Sequence, residues 1–155
     1  MSVNAIRRGW NAAAAGLERW LGLDLVLLVS RIGIAAVFFQ SGRTKVEGGL
    51  TVTDNAVGLF RDEYRLPLLD PTLAAHAAAY AEHLFPLLLV LGLGTRFAAL
   101  ALLGMTLVIQ TFVYPEAWMT HGLWAACLLA LVRLGPGALS LDHRFGLDGP
   151  VTGPR

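Results

Sequence analysis

Residues 21–40 read LGLDLVLLVSRIGIAAVFFQ, a stretch of 20 residues in which only Asp24 and Arg31 are charged. A helix needs roughly 20 mainly apolar residues to cross the hydrocarbon core of a bilayer. This stretch therefore predicts a transmembrane helix. Three further stretches of similar length and composition follow it, at residues 72–93, 97–114 and 118–134. The sequence thus predicts four membrane-spanning helices.

The connections between these helices predict how they pack. Residues 94–96 alone separate the second helix from the third, and residues 114–117 separate the third from the fourth. Connections this short make neighbouring helices antiparallel. We therefore predict an all-α fold, an integral membrane antiparallel four-helix bundle whose long first loop spans residues 41–71. The predicted domains are a cytoplasmic segment at residues 1–20, the four-helix transmembrane domain at 21–142 and a cytoplasmic tail at 143–155.

The composition supports a membrane protein. Of the 155 residues, 55% are hydrophobic and 15% are charged, whereas soluble domains are typically about 45–50% apolar and about 25% charged. A net charge of +1 excludes a strongly basic nucleic-acid-binding protein. Cys127 is the one cysteine in the sequence, which excludes an intrachain disulfide, a paired-thiol redox motif and a four-cysteine metal site.

The distribution of basic residues predicts the orientation. Four spans place both termini and residues 94–96 on one side, which carries most of the arginines. Because loops rich in lysine and arginine stay in the cytoplasm, we expect a bacterial inner-membrane protein with both termini cytoplasmic and residues 41–71 outside. A cleaved signal peptide at residues 21–40 fits less well, because the stretch is too long for a signal core and contains Arg31.

Within the long loop, residues 55–64 have the pattern of a short amphipathic helix. Asn55 is the expected N-cap. The apolar side would consist of Val57, Leu59, Phe60 and Tyr64. This helix would either cap the mouth of the bundle or dock a partner protein.

Several short motifs occur in a fixed order along the chain. They are Arg31, residues 38–42 (FFQSG), Lys45, Phe60, residues 64–67 (YRLP), Glu82, residues 91–96 (LGLGTR), residues 114–118 (YPEAW), His121, Trp124 and residues 135–142 (GPGALSLD). This series resembles the DoxX family of small four-helix bacterial membrane proteins over residues 21–142. The resemblance implies a redox-linked role, since some relatives are similar to membrane subunits of thiosulfate:quinone oxidoreductase and others are linked to oxidative-stress complexes.

Two ionisable residues inside the predicted spans are the first candidates for a functional site, because charge is costly in a membrane. Arg31 and Glu82 each lie near the middle of their helix, and the two helices are antiparallel, which predicts an Arg31–Glu82 ion pair. The pair would either fix the helix register or serve a function, as an anchor for a quinone carbonyl or as a proton-transfer point. Pro86 should kink the helix beside Glu82, because it removes the hydrogen bond to the Glu82 carbonyl.

Further polar residues extend this candidate site. His76, Tyr80 and His83 share one helix face by their spacing. Gln40, Gln110, His76 and His121 are expected near the outer membrane face, where they could form a polar pocket. The full set of ligand or quinone-binding candidates is Arg31, Gln40, His76, Tyr80, Glu82, His83, Gln110 and His121. Because no HxxxH or HExxH spacing is present, we expect no metal site and favour hydrogen-bonded histidines over haem ligands.

The functional prediction is a quinone-interacting subunit or partner of a membrane oxidoreductase or oxidative-stress complex. No intrinsic cofactor is expected, because the sequence has no dinucleotide glycine motif and no paired cysteines. Electrons would come from a redox protein partner, and a homo-oligomer is an option. The alternatives are a non-enzymatic scaffold that docks a partner through residues 41–71, and a small-molecule or metal-ion transporter, which the lack of a visible internal repeat disfavours.

Overall fold

Seven α-helices and a two-stranded hairpin make up residues 3–149, the part of the chain that the computed structural model describes. The helices are α1 (Val3–Leu21), α2 (Leu23–Arg43), α3 (Asp54–Leu59), α4 (Pro71–Leu91), α5 (Thr95–Val108), α6 (Trp118–Leu134) and α7 (Leu141–Arg144). The strands β1 (Val46–Glu47) and β2 (Thr51–Val52) pair antiparallel. Two π-helical turns, Phe60–Tyr64 and Ile109–Val113, extend α3 and α5, and a 3₁₀ turn, Pro115–Ala117, precedes α6.

Four of these helical segments are long and apolar enough to cross a membrane. They are Leu23–Arg43, Pro71–Leu91, Thr95–Val113 and Pro115–Leu134. Large apolar side chains are exposed around all four, as in helices that are hydrophobic on every side. The prediction of four apolar helices is therefore confirmed, with ends that differ from the predicted ones by only a few residues.

Local sequence determines where α4 begins and ends. The Asp70 carboxylate accepts a hydrogen bond from the Leu73 N–H at 3.0 Å, and Pro71 occupies the first turn. Gly92 ends the helix with a φ of 67°, a conformation that favours glycine. A Cβ at Gly92 would also lie 2.9 Å from the guanidinium of Arg31. Glycine is therefore needed here for both its conformation and its size.

The four long helices pack as a closed ring around an apolar core. Helix α2 packs against α4 and α6, and α5 packs against the same two helices. The largest fully buried apolar residues are Phe38, Leu89, Leu102, Leu128 and Leu131. At Gly42 a Cβ would lie 2.9 Å from the Cβ of Glu82. Glycine therefore allows the close contact that sets the register between α2 and α4.

The predicted amphipathic helix of the long loop exists, but its N-cap is Thr53. The Thr53 Oγ1 atom accepts a hydrogen bond from the Ala56 N–H at 3.2 Å, so the expected cap at Asn55 is wrong. Phe60 is buried against Ala74 and Ala75 of α4. The helix therefore covers the end of the ring that carries residues 44–70, which we call the loop end. The opposite end, with the α4–α5 turn and residues 135–149, is the terminal end.

Candidate functional site

A cavity of about 420 Å³ lies among α2, α4, α5 and α6 at the loop end. Helix α4 contributes the small side chains Ala74, Ala77, Ala78 and Ala81 to its wall, which leave the space unfilled. Most of the remaining lining is also apolar. The polar side chains on the wall are Ser41, Lys45, Tyr64, Glu82, Tyr114 and His121. The cavity is therefore an apolar space with a few polar groups at fixed points.

Ser41, Lys45 and Glu82 form a buried polar triangle on one wall. The Lys45 Nζ atom lies 2.7 Å from Oε2 of Glu82, and the two side chains are only 6% and 4% exposed. Lys45 also donates to the Ser41 Oγ atom at 3.0 Å, and the Ser41 hydroxyl donates to Oε1 of Glu82 at 3.4 Å. Removing either partner of a buried ion pair leaves an uncompensated charge that destabilises the fold. The triangle thus places a matched positive and negative charge beside the cavity.

Lys45 is the functional candidate that sequence reasoning missed. It lies within the predicted loop at residues 41–71, which gives it the sequence pattern of an exposed loop charge. The structure folds it back, so that its ammonium donates to the Ser41 carbonyl oxygen one helical turn earlier, at 3.2 Å. The available signal was the spacing of four residues between Ser41 and Lys45, which puts two polar side chains on the same side of a helical turn.

His121 faces the cavity from α6, and its hydrogen bonds define its tautomer. The Gln110 amide nitrogen donates to the Pro115 carbonyl oxygen at 2.6 Å, so its amide oxygen, 2.7 Å from Nδ1 of His121, must accept. In a neutral ring Nδ1 then carries the proton and Nε2 is a hydrogen-bond acceptor. The π-helical turn of Ile109–Val113 carries Gln110, and such turns are frequent at functional sites.

Contacts between the loop and the α5–α6 connection bridge the mouth of the cavity. The Tyr114 hydroxyl donates to Oε1 of Glu63 at 2.7 Å. The rings of Tyr64 and Tyr114 pack edge to face, with their centroids 5.8 Å apart. The hydrogen bond to Glu63 raises the pKa of Tyr114 above its ordinary value, and burial raises the pKa of Tyr64. Both phenols therefore stay neutral and able to donate well above neutral pH.

The structure brings only part of the predicted site together. Glu82 and His121 lie on the cavity wall, and Gln110 reaches it through His121. Gln40 and Tyr80 are exposed. His76 does not line the cavity, and its ring packs against that of Tyr80, with the two centroids 6.0 Å apart. The predicted four-residue polar pocket is therefore wrong apart from its Gln110–His121 pair.

His83 lies in the contact between α2 and α4. Its Nδ1 atom is 2.7 Å from the Ala79 carbonyl oxygen. Its ring packs edge to face against that of Phe39, with the two centroids 5.2 Å apart. Its Nε2 atom is buried and has no hydrogen-bond partner in the described part of the chain. The ring also occupies the space that a Cβ at Gly42 would need. His83 therefore packs behind the cavity wall and is not one of its lining residues.

The predicted Arg31–Glu82 ion pair is wrong, because Arg31 lies at the terminal end. Its guanidinium donates to four backbone carbonyl oxygens at 2.7–2.9 Å, those of Leu89, Val90, Pro136 and Leu139. Gly42, which contacts Glu82, follows Arg31 by 11 residues, or about 16 Å along a helix. Arg31 and Glu82 each lie near the middle of their helix, but they lie at different levels of the bundle because α2 and α4 are shifted along each other.

Arg31 instead joins the end of α4 to the segment that follows α6. Helix C-termini leave their last carbonyls without partners, and the guanidinium supplies donors and a favourable charge there. Asp142 from the same segment accepts from the Gly94 and Thr95 N–H groups at 2.7 and 2.9 Å. The GPGALSLD motif therefore closes the terminal end, and the predicted tail at residues 143–155 continues from this packed segment as far as the structure describes it.

Metal ligands are not clustered in the described residues. Residues 3–149 contain no group of three or more histidine, cysteine, aspartate or glutamate side chains placed to hold a metal ion. Cys127 is half-buried in α6. The candidate site is the cavity at the loop end, with the polar triangle on α2 and α4 and His121 on α6.

Comparison with known proteins identifies related sequences. The model of the DoxX family matches residues 26–115. A Haemophilus influenzae protein described as "Uncharacterized protein" is 30% identical over 132 residues, which cover 79% of this chain and 84% of that protein. No solved structure matches the chain. The family match includes Lys45, Glu82 and Gln110 and ends before His121.

Proposed function

The chain belongs to the DoxX family, and from that premise we propose that it is a redox-linked membrane subunit that binds a quinone in the cavity at the loop end. The observation that carries the proposal is the buried Lys45–Glu82 pair in the wall of an otherwise apolar cavity. Its four apolar helices would cross the bacterial inner membrane as an antiparallel bundle with both termini cytoplasmic.

A quinone has the chemistry that this cavity would accommodate. Its ring and isoprenoid tail are apolar, and its two carbonyl oxygens accept hydrogen bonds. The Lys45 ammonium could turn from its long 3.2 Å contact with the Ser41 carbonyl to a quinone oxygen without leaving Glu82. Ligand pockets commonly combine an apolar lining with a few such polar groups.

The opposite wall suits the reduced form of the same ligand. Helices α4 and α6 lie diagonally in the ring, since each packs mainly on α2 and α5, so His121 faces the cavity from the side opposite Glu82. Its unprotonated Nε2 can accept a hydrogen bond from a quinol hydroxyl. Lys45 would thus recognise a carbonyl, and His121 a hydroxyl. The proposal assigns quinone binding and proton positioning to this chain and electron transfer to a partner protein.

Binding of a short-chain ubiquinone to the full-length protein in lipid nanodiscs tests the proposal. Trp124 lines the cavity, so its fluorescence should be quenched by the bound quinone, and Trp124→Phe should abolish that signal. The double variant Lys45→Met with Glu82→Leu removes both charges together, which avoids a lone buried charge. We expect it to raise Kd by about tenfold or more, a loss of about 1.4 kcal/mol.

Two of the original candidates serve as matched controls. Gln40→Ala and Tyr80→Phe alter polar groups on the same two helices, outside the cavity lining, and should leave the Kd unchanged. Wild-type affinity in both the charge-free double variant and His121→Leu would refute the quinone site. A scaffold acting through residues 41–71 would instead give no saturable quenching of Trp124 fluorescence in the wild-type protein.

A further inference from the structure

Helix α1 differs from the other long helices because it buries nothing. All of its residues from Val3 to Leu21 are exposed. Trp10 is 74% exposed and Leu17 59%. A stable helix that leaves such large apolar side chains uncovered implies that a further surface covers them.

The residues of α1 divide into two opposite faces. At 100° per residue, one stripe carries apolar side chains and the other side carries polar ones. The apolar stripe consists of Val3, Ile6, Trp10, Ala13, Leu17 and Leu21. The polar side consists of Asn4, Arg7, Arg8, Asn11, Glu18 and Arg19. Three arginines against one glutamate give the helix a net positive charge.

The position of α1 in the chain brings it to a membrane surface. The helix ends at Leu21, Gly22 interrupts it, and the apolar helix α2 begins at Leu23. If α2 crosses the membrane, the C-terminal end of α1 lies at the boundary between headgroups and water. Trp20 lies at one edge of the apolar stripe and Arg7 at the other, and both residue types are favoured at that boundary.

We propose that α1 lies in the membrane interface on the side of the chain termini, with its apolar stripe among the acyl chains and its arginines against the phosphates of acidic lipids. Amphipathic helices with tryptophan and leucine on one face and arginine on the other bind membranes in this way. The arginines favour a lipid surface over a second copy of this chain, because they complement anionic phosphates. This inference rests on α2 being transmembrane and is independent of quinone binding.

Site-directed spin labelling of the full-length protein tests the proposal. Cys127 is the only cysteine, so Cys127→Ser provides a cysteine-free background. Ala13→Cys places a label on the apolar stripe, and Ala15→Cys places one on the polar side, which makes a matched pair. In nanodiscs containing phosphatidylglycerol, the label at position 13 should have a severalfold higher ratio of oxygen accessibility to nickel-complex accessibility than the label at position 15.

Two outcomes would overturn this placement. Equal accessibility of both labels to the nickel complex would put α1 in water. Protection of position 13 from both reagents would put its apolar stripe against protein, as in a dimer of this chain.

The contribution of the arginines is tested separately. Adding Arg7→Gln and Arg8→Gln to the position-13 labelled protein should lower its accessibility ratio in phosphatidylglycerol nanodiscs severalfold, toward the value in phosphatidylcholine alone. Salt should weaken the effect in the protein that retains both arginines. Identical ratios in the two lipid compositions would refute the arginine–phosphate contact.

Discussion

Arg31 and Lys45 are both buried cations, yet their surroundings differ, and we propose different roles for them. Arg31, at the terminal end, is 1% exposed and bonds to four fixed backbone oxygens. Lys45, at the loop end, bonds to the Glu82 carboxylate and the Ser41 hydroxyl beside a cavity. Backbone carbonyls at a helix end cannot move away without unfolding it, whereas side-chain partners can rearrange around a ligand. The comparison indicates that burial alone does not identify a functional charge.

Substitution of Arg31 should have the largest effect on stability. Arg31→Met leaves four carbonyl oxygens without their donor and should lower the free energy of unfolding by about 4–5 kcal/mol, near the upper end for one substitution. Arg31→Lys should recover only part of this, because one ammonium cannot match the planar guanidinium. Unfolding in mixed detergent micelles measures the loss, and faster proteolysis after residue 134 would locate it at the terminal end.

Quinone binding by the same variant tests whether Arg31 is structural, in contrast to Lys45. If Arg31 is structural, the folded fraction of Arg31→Met should bind quinone with wild-type affinity, because Arg31 does not line the cavity. A stable Arg31→Met protein that fails to bind quinone would instead place Arg31 in the binding site.

The four long helices could be predicted because each needs only length and apolar composition, which are local properties. Their antiparallel order was predicted from the short connections at residues 94–96 and 114–117. The register between α2 and α4 could not be predicted in this way. It depends on the contact between Gly42 and Glu82, which joins residues 40 positions apart and leaves no periodic signal in either helix.

That missing register explains the errors in the candidate site. Glu82 was identified correctly as a buried acid, but it was paired with Arg31 because both lie near the middle of their helices. Lys45, its actual partner, comes after the end of α2 and therefore had the pattern of a loop residue. The role of residues 135–142 was also missed, because a Gly-Pro-Gly sequence predicts the end of a helix and says nothing about what packs there afterwards.

The Lys45–Glu82 pair should show the next largest effect. Glu82→Leu leaves the Lys45 ammonium buried between the helices without its carboxylate partner. This should lower the free energy of unfolding by about 3 kcal/mol. The expected loss is smaller than for Arg31→Met because Lys45 keeps its bonds to Ser41. Adding Lys45→Met to Glu82→Leu should restore most of the stability, since a buried pair replaced by apolar residues is often neutral.

A double-mutant cycle over the two single variants and the double variant measures this coupling by unfolding in mixed micelles. Strictly additive losses would show that the two charges do not depend on each other. The loop end would then resemble the terminal end, where each polar group has its own fixed backbone partner.

The smallest effect is expected at the mouth of the cavity, where the partners are exposed. Tyr114→Phe keeps the ring against Tyr64 and removes the hydrogen bond to Glu63, so the free energy of unfolding should fall by about 1 kcal/mol or less. The pKa of Tyr114 is raised in the folded protein. This contribution is therefore fully present below about pH 10, the ordinary tyrosine value, and is lost as the pH rises through the folded pKa.

Unfolding measured from pH 7 to pH 11 separates this hydrogen bond from the buried charges. The difference in stability between wild type and Tyr114→Phe should stay constant up to about pH 10, the ordinary tyrosine pKa, and should shrink above it. Quinone affinity should not change, because the phenol bonds to Glu63 and the ring remains in place. A large loss of affinity in Tyr114→Phe would mean that the hydroxyl leaves Glu63 to contact the ligand, and the binding site would then extend from the polar triangle to the mouth.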